Sequence, residues 1–355
     1  MKVPQHIRKI DQYEISDSAS LSYSKKERFL KLDWNESTYP PAPNVSSEVK
    51  KFLDEYDLSY YPDVSYKKLK NKLTSYTKAS KDCIEVFNGS DAAIKCIVRT
   101  FMSNGDNMVV KSPVYTQPFV FVQSCGAQVK SFTTSTPFDD SIEKYHEKID
   151  SKTAVVYIPN PCNPTGVLLS REKIRSLLSN HSNTLFVIDE AYYEFTGETV
   201  IPLIKSFPNL VVTRTFSKAF ALAGGRIGYV IGDSSTLRHI RKIHNPKSVN
   251  TLGQIAASAA LNNVEYYRKK VEQVESAKVF VSDKLSKMNV KHRVCNGNFF
   301  LIKTAAKDNL IKNLKKENIL VRDRGYLPQL NGYIRVTIAR KQRMSKFMEV
   351  LRKVI

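Results

Sequence analysis

The sequence predicts an α/β protein with a large, mostly parallel sheet and a second, smaller α+β domain. Three observations carry this prediction. The chain has 355 residues, 42% of them hydrophobic, so it can bury a large core without disulfides or structural metals. From about residue 80, short apolar runs alternate with helical patterns, which indicates helices layered on a sheet. After about residue 245, the pattern changes to a long charged helix followed by short strands.

The predicted strands of the large sheet are short apolar runs, several of them continuous, as expected for parallel strands covered on both faces. They are Ile84–Phe87, Asn107–Lys111, Ala154–Ile158, Leu185–Ile188, Leu210–Thr213 and Tyr229–Ile231. Helical patterns lie between them, notably Asp91–Phe101 and Arg171–Leu178. Ser170 stands where the second of these helices needs an N-cap.

The smaller domain is predicted from a long helix, Val264–Leu285, and from strands at Phe299–Ile302 and Tyr333–Ile338. The first 30 or so residues are polar and mixed and resemble an arm. We therefore expect three segments: an N-terminal arm with a small-domain contribution over 1–40, the large domain over 41–245, and the small C-terminal domain over 246–355.

Composition excludes several classes of protein. With 25% charged and 10% aromatic residues, the chain is not wholly disordered, collagen-like or disulfide-stapled. No run approaches the roughly 18 apolar residues of a membrane span. The five cysteines contain no CxxC pair and the six histidines no HExxH motif, so neither a disulfide framework nor a metal site is indicated. The N-terminus lacks the apolar region of a secretory signal, so a cytoplasmic location is expected.

The charge balance is strongly basic, with 55 Lys and Arg against 34 Asp and Glu and a formal net charge of +21. Such a charge attracts anions, whether nucleic acid, anionic membrane or phosphorylated metabolites. The basic residues are nevertheless spread along the whole chain, and neither end carries a DNA-binding extension. A Lys-rich surface without a specific partner explains them best, and neither nucleic acid nor membrane is predicted as a partner.

Two loops that follow strands carry candidate binding groups. In 87–91, Gly89 permits a tight turn, and the helix that begins there offers free N–H groups to a phosphate, although an ordinary strand-to-helix turn would look the same. In 159–166, three prolines and a glycine make a rigid loop at a strand's C-terminal end, where ligands of α/β sheets bind. Asn163 can donate a hydrogen bond from that loop.

Two further motifs carry candidate reactive groups. Asp189 ends an apolar run, where a poorly solvated carboxylate needs a cationic partner, and Tyr192 follows close behind it. Lys218 follows a strand and is flanked by small hydroxyl residues, so it is a candidate Schiff-base amine. Arg226, after a pair of glycines, supplies a fork for an anion. Taken alone, Asp189 could cap a helix and Lys218 could be a solvated surface residue.

Asn163, Asp189, Tyr192, Lys218 and Arg226, in this order, resemble fold-type I enzymes that use pyridoxal 5′-phosphate (PLP), and more narrowly histidinol-phosphate aminotransferases. The resemblance covers nearly the whole chain and implies an aspartate-aminotransferase-like fold and a homodimer with shared sites. Further matches are Leu32–Glu36, Tyr60–Asp63, Ala191–Phe195, Ser217–Gly224, Val321–Arg324 and Ile334–Val336.

The resemblance implies a role for each residue around the cofactor ring. Lys218 would bind the cofactor covalently and then shuttle a proton. Asp189 would pair with the protonated pyridine nitrogen and keep the ring an electron sink. Asn163 and Tyr192 would hydrogen-bond its phenolic oxygen, and Tyr115 would stack on the ring; the alternative for Tyr115 is packing in the core beside Asn107–Lys111.

The resemblance also implies the residues that bind the two outer anions. The cofactor phosphate would be held by Gly89, Ser90, Asp91, Thr215, Ser217 and Arg226, with Tyr61 reaching it from the neighbouring subunit. On the substrate side, Arg335 would take a carboxylate and Arg322 a phosphate. The early pair Asn35 and Glu36 is also predicted to bind substrate.

Three departures from the family pattern stand out: Ser37-Thr38 where Asn-Pro is usual, Gly225 where Leu is common, and Ala92 where an acidic residue is common. The first lies near the substrate entrance and leaves the substrate open. We expect an aminotransferase of amino-acid biosynthesis that transfers an amino group between glutamate and a small phosphorylated keto compound by a ping-pong mechanism.

Three alternatives remain at this point. One is an amino-acid-phosphate decarboxylase of the threonine-phosphate type on the same scaffold, which carbon dioxide release would reveal. Another is an aminotransferase of a surface-polysaccharide or secondary-metabolite pathway. The third is a basic regulatory protein that kept the domain and binds nucleic acid, which salt-sensitive DNA retention without turnover would reveal.

Overall fold

The structure is a computed structural model and describes residues 1–11, 15 and 22–354. Its strands, in chain order, are β1 (Leu30–Leu32), β2 (Ile84–Phe87), β3 (Asn107–Lys111), β4 (Gln128–Phe132), β5 (Thr153–Pro159), β6 (Leu185–Asp189), β7 (Leu210–Thr215), β8 (Gly228–Gly232), β9 (His292–Val294), β10 (Phe299–Lys303), β11 (Ile319–Asp323) and β12 (Tyr333–Thr337).

The α-helices, in chain order, are α1 (Gln5–Arg8), α2 (Tyr23–Glu27), α3 (Pro43–Glu55), α4 (Lys67–Thr77), α5 (Ser90–Phe101), α6 (Gln117–Ser124), α7 (Glu143–Lys148), α8 (Arg171–Asn180), α9 (Ser234–Ile243), α10 (Thr251–Ala260), α11 (Val264–Lys287), α12 (Lys307–Lys316) and α13 (Lys341–Val354). As predicted, Ser170 caps α8, because its side chain accepts a hydrogen bond from the Lys173 N–H. In the described ranges no helix combines the length and apolar character needed to cross a bilayer.

The large sheet has seven strands in the order β2-β8-β7-β6-β5-β3-β4. β8 pairs antiparallel with both β2 and β7, and the other pairs are parallel. Side chains that alternate along β5 enter two different core clusters: Val156 and Ile158 one, Val155 and Tyr157 the other. Both faces of the sheet are therefore covered, which explains the continuous apolar runs. The six predicted strands are confirmed, several of them longer by one or two residues at an end.

The second sheet has five strands in the order β1-β11-β12-β10-β9. β1 comes from the N-terminal segment and pairs in parallel with β11, with Leu30 opposite Ile319. The predicted strands near 299 and 333 and the long helix are confirmed as β10, β12 and α11. The N-terminal segment is thus tied to the C-terminal part of the chain, while the domain limits at 40 and 245 stay predictions.

The parallel strands β5, β6 and β7 end side by side. Pro159 lies opposite Asp189, and Asp189 lies opposite Thr213. The loops that leave these strands carry Asn163, the segment after Asp189, and Lys218. Phe87 and Thr215 both lie opposite Gly228, so β2 ends at the same edge. Since the C-terminal ends of parallel strands form the crevice where α/β proteins bind ligands, the fold brings all four motifs to one edge.

Candidate active site

Asp189 is the buried carboxylate at the end of β6, only 6% exposed. Its Oδ1 accepts a hydrogen bond from Thr213 Oγ1 and its Oδ2 one from Tyr157 Oη, both at 2.9 Å. Burial raises the pKa of Asp189 from 3.8 to about 6, because two neutral donors compensate only part of the lost hydration. A cation bound at this position would keep the carboxylate ionised.

Lys218 is the candidate nucleophile and lies half-buried just after β7. Its Nζ donates a hydrogen bond to the Trp34 carbonyl oxygen at 3.0 Å and lies 5.9 Å from the ring centroid of Tyr192. Across the part of the chain that the structure describes, no carboxylate forms a salt bridge with Lys218. The amine is therefore not locked in an ion pair and can react once it loses its proton.

An anion pocket lies where α5 begins. Gly89 precedes the helix with φ of +87°, and no side chain caps the helix N-terminus. The guanidinium of Arg226 lies over this turn: a Cβ at position 89 would stand 2.7 Å from its Nη2. Arg226 also contacts Ser217 Oγ at 3.4 Å, and Thr215 Oγ1 lies 3.0 Å from Ser217 Oγ. Free N–H groups, two hydroxyls and a guanidinium suit a phosphate.

Asp91 and Tyr115 close one side of this pocket. Tyr115 Oη donates a hydrogen bond to Asp91 Oδ1 at 3.0 Å, and Arg226 Nη2 lies 3.4 Å from Asp91 Oδ2. The carboxylate thus orients both the phenol and the guanidinium. Because Arg226 is still 44% exposed and its described hydrogen bonds are 3.3–3.4 Å long, it retains capacity for a stronger anionic partner.

Arg335 in β12 is the buried cation of the site, 3% exposed. Its Nη1 donates to Asn163 Oδ1 at 2.6 Å and its Nη2 to the Asp33 carbonyl oxygen at 2.5 Å, while its Nε has no hydrogen-bond partner in the described structure. Burial, and then the charge of Arg324, lower the pKa of Arg335 to about 9. A buried guanidinium whose described hydrogen bonds reach neutral oxygens, with an orphaned N–H, is suited to a carboxylate.

Arg322 lies directly opposite Arg335 on the neighbouring strand β11 and is half-buried. Two like charges at facing positions of an antiparallel pair repel each other. An anion that contacts both guanidiniums would remove this repulsion. The sequence does not reveal this pairing, because it distinguishes the two arginines only by their place in the family pattern.

The described contacts of three predicted site residues, Asn35, Glu36 and Tyr61, do not by themselves show the expected roles. Asn35 is 1% exposed, and its amide is hydrogen-bonded to Tyr192 and Thr337. Glu36 lies 3.4 Å from the ammonium of Lys31. Tyr61 is 79% exposed, with Lys247 Nζ 5.0 Å from its ring centroid, and no described contact joins it to the anion pocket.

An ion pair that sequence reasoning missed lies directly behind the site. Arg214 donates from Nε and Nη2 to Glu190 Oε2 at 2.9 and 2.7 Å, and both residues are 1% exposed. The guanidinium also stacks 3.4 Å from the ring centroid of Tyr193. This pair joins the ends of β6 and β7, next to Asp189. The only sequence signal was a second acidic residue immediately after a buried strand.

The fold, the buried carboxylate, the strand-end lysine and the phosphate-type pocket together define a PLP-dependent aminotransferase of fold type I. The chain belongs to the aminotransferase class I and II family, whose model matches residues 27–351. The resemblance stated from the motifs is thereby confirmed, and with it the aspartate-aminotransferase-like fold, the activity class and the cofactor.

Relatives of known name support this family. The chain is 38% identical over 98% of its length to a dihydroxyacetone phosphate transaminase from Campylobacter jejuni, 96% of which is covered. It is 31% identical over 93% of its length to a histidinol-phosphate aminotransferase from Clostridium botulinum, also covered to 93%.

Solved structures show the same fold. Histidinol-phosphate aminotransferase from Sinorhizobium meliloti in complex with PLP superposes with a TM-score of 0.86 at 23% identity, covering 100% of this chain and 98% of that one. Aspartate aminotransferase from Thermotoga maritima superposes with a TM-score of 0.81 at 23% identity, covering 99% of each chain.

Proposed function

We propose that this aminotransferase exchanges an amino group between glutamate and a small phosphorylated keto compound. The facing pair Arg322 and Arg335 is the observation that carries the proposal. Arg335 is fixed by Asn163 and Asp33 and offers its orphaned Nε to a carboxylate. The half-buried Arg322 is free of described hydrogen bonds and suits the more strongly hydrated phosphate, which needs a permanently charged, bidentate partner.

We propose that the residues around the site hold PLP as follows. Its phosphate lies at the start of α5, on a cradle formed by Gly89, Ser90, Asp91, Thr215, Ser217 and Arg226. Asp189 keeps a proton on the pyridine nitrogen. When bound, the cofactor supplies an electron sink for the carbanion at the substrate Cα. Tyr115 covers the ring, and Tyr61 of a second copy of the chain completes the phosphate site in a homodimer.

In the same proposal, Lys218 moves the proton to and from the substrate Cα. Lys218 Nζ lies 5.9 Å from the ring centroid of Tyr192, which supports this role. Asn163 accepts from Arg335 through Oδ1, which leaves its Nδ2 to donate toward the cofactor's phenolic oxygen. Tyr192 donates to that oxygen as well.

Dihydroxyacetone phosphate is the acceptor to test first. The relatives at 38% and 31% identity are named for dihydroxyacetone phosphate and histidinol phosphate, and both names specify a phosphorylated substrate. The identity is higher to the first relative, and Ser37 and Thr38 depart from the Asn-Pro usual in histidinol-phosphate aminotransferases, so dihydroxyacetone phosphate comes first. A role in amino-acid biosynthesis stays a prediction.

The test is a pair of half-reactions followed by the visible absorption of the bound cofactor. Glutamate should bleach the band, and dihydroxyacetone phosphate or the keto partner of histidinol phosphate should restore it. Unphosphorylated dihydroxyacetone is the matched control and should restore it far more slowly. Equal rates for the phosphorylated and unphosphorylated ketones would overturn the proposal, and carbon dioxide release from an amino-acid phosphate would favour the decarboxylase.

A further inference from the structure

Three consecutive residues after β1 each contact a different residue of the site. The contacts are Asp33 O with Arg335 Nη2 at 2.5 Å, Trp34 O with Lys218 Nζ at 3.0 Å, and Asn35 Nδ2 with Tyr192 Oη at 2.9 Å. The first two use backbone carbonyls, which any residue supplies. The third depends on the Asn35 side chain, so residue type matters at this position.

The contacts of Asn35 with Thr337 and Tyr192 orient its amide. The backbone N–H of Asn35 donates to Thr337 Oγ1 at 3.0 Å, so the hydroxyl proton of Thr337 is left to donate elsewhere. Asn35 Oδ1 lies 3.1 Å from that hydroxyl and accepts this proton. With Oδ1 on Thr337, the amide nitrogen faces Tyr192 and lies 2.9 Å from its Oη. An amide N–H can only donate, so Tyr192 Oη is the acceptor in this contact.

The backbone holds Asn35 rigidly in this arrangement. Its φ of +54° lies in the left-handed region, which Asn, Asp and Gly tolerate best. Its carbonyl oxygen accepts a hydrogen bond from Asn298 Nδ2 at 3.0 Å, and the residue is 1% exposed. Water therefore has little access to the pair, and the side chain has no room to turn over.

We infer that Asn35 is a positioning residue that makes Tyr192 a hydrogen-bond donor toward the cofactor. Since the Tyr192 oxygen accepts from Asn35, the single hydroxyl proton of Tyr192 must point away from Asn35, into the site. This inference rests on the proposed placement of Tyr192 beside the phenolic oxygen. It replaces the substrate-binding role expected for Asn35 with an action through Tyr192.

The consequence is electrostatic. A hydrogen bond donated by Tyr192 would stabilise negative charge on the phenolic oxygen of the cofactor. When Lys218 is linked to the cofactor, that oxygen would then attract the proton on Lys218 Nζ less strongly. Asn35 should therefore lower the pH at which the visible band of the lysine-bound cofactor changes. A hydrogen bond to a charged group is worth about 1.5–3 kcal/mol, which corresponds to roughly one to two pH units.

The test titrates the visible band of the holoenzyme in matched variants. Asn35→Asp keeps the shape and the left-handed backbone but turns the donor into an acceptor, which draws the Tyr192 proton away from the cofactor. Its midpoint should rise by about one to two pH units, as should that of Tyr192→Phe. Asn35→Gly keeps the backbone and frees the hydroxyl to rotate, so its midpoint should rise less.

A double-mutant cycle separates this coupling from a general effect of the segment. In a Tyr192→Phe background, Asn35→Gly should shift the midpoint no further, since the group it orients is gone. Ser37→Ala is the control, because the Ser37 hydroxyl donates to the Tyr39 carbonyl oxygen at 3.0 Å, and it should leave the midpoint at the wild-type value.

Each contrary outcome has a distinct meaning. No shift in Tyr192→Phe would overturn the proposed placement of Tyr192 beside the cofactor, and the inference with it. A shift in Tyr192→Phe without one in Asn35→Asp would overturn the inference alone. Additive shifts in the cycle, or an equal shift in Ser37→Ala, would also overturn it. Asn35→Asp keeps the inference testable if the glycine variant does not fold.

Discussion

Asp189→Asn in the cofactor-free protein should change how stability depends on pH. The substitution preserves shape and removes a charge that is buried between two neutral donors, Tyr157 and Thr213. Before a cationic ring nitrogen arrives, the ionised carboxylate is poorly compensated at this position. The wild-type protein must therefore either hold a proton on Asp189 or lose stability when that carboxyl group ionises.

The magnitude follows from the raised pKa. A shift from 3.8 to about 6 corresponds to about 3 kcal/mol between the two protonation states. Because the pKa of Asp189 is higher in the folded than in the unfolded protein, its contribution to stability is fully present below about pH 4 and is lost as the pH rises through about 6. The amide side chain of the variant cannot ionise, so the variant escapes this loss.

Denaturant unfolding of both cofactor-free proteins across the pH range measures the effect. Relative to wild type, Asp189→Asn should gain about 2 kcal/mol of unfolding free energy between pH 4 and pH 8. Glu194, whose pKa burial raises to about 7, titrates in both proteins and cancels. Parallel pH profiles would refute the reasoning, whether they coincide or are separated by a constant offset that the altered hydrogen bonds of the amide cause.

Three further predictions concern other parts of the site. Glu190→Gln leaves the Arg214 charge buried without its partner and should cost about 3–5 kcal/mol of unfolding free energy; a loss below about 1 kcal/mol would contradict a tight pair. Arg322→Ala should raise KM for the phosphorylated acceptor roughly ten- to a hundred-fold, whereas the glutamate half-reaction should change little; an equal loss in both half-reactions would make Arg322 structural. Tyr61→Phe should weaken PLP retention on dialysis without changing the circular dichroism spectrum. A fully active monomer in sedimentation would contradict the shared site.

The sequence identified those parts of the fold that bury apolar residues on both sides. The strands β2, β3, β5, β6, β7 and β8 were all predicted. β4 was not, because it is an edge strand with the polar sequence QVKSF and only Phe132 buried. β1 was missed for another reason: its pairing with β11 joins residues almost 290 positions apart, and three residues carry too little pattern to predict it.

The same distinction separates the site residues that the sequence predicts from those that it does not. Lys218 and Asp189 were predicted because each stands at a strand end, which sequence reveals. Tyr157, which donates to Asp189, lies inside an apolar strand and looked like core. Asn35 was recognised by family pattern, but its partner was not, because the contact with Tyr192 depends on how the N-terminal segment lies against β12.

Transfer of ¹⁵N from labelled glutamate to dihydroxyacetone phosphate, followed by mass spectrometry, tests the proposed reaction in one measurement. We predict a labelled phosphorylated amine, at least tenfold less product from unphosphorylated dihydroxyacetone, and none from Lys218→Ala. Label that stays in glutamate with every phosphorylated ketone, or labelled product formed equally by Lys218→Ala, would contradict the proposed chemistry.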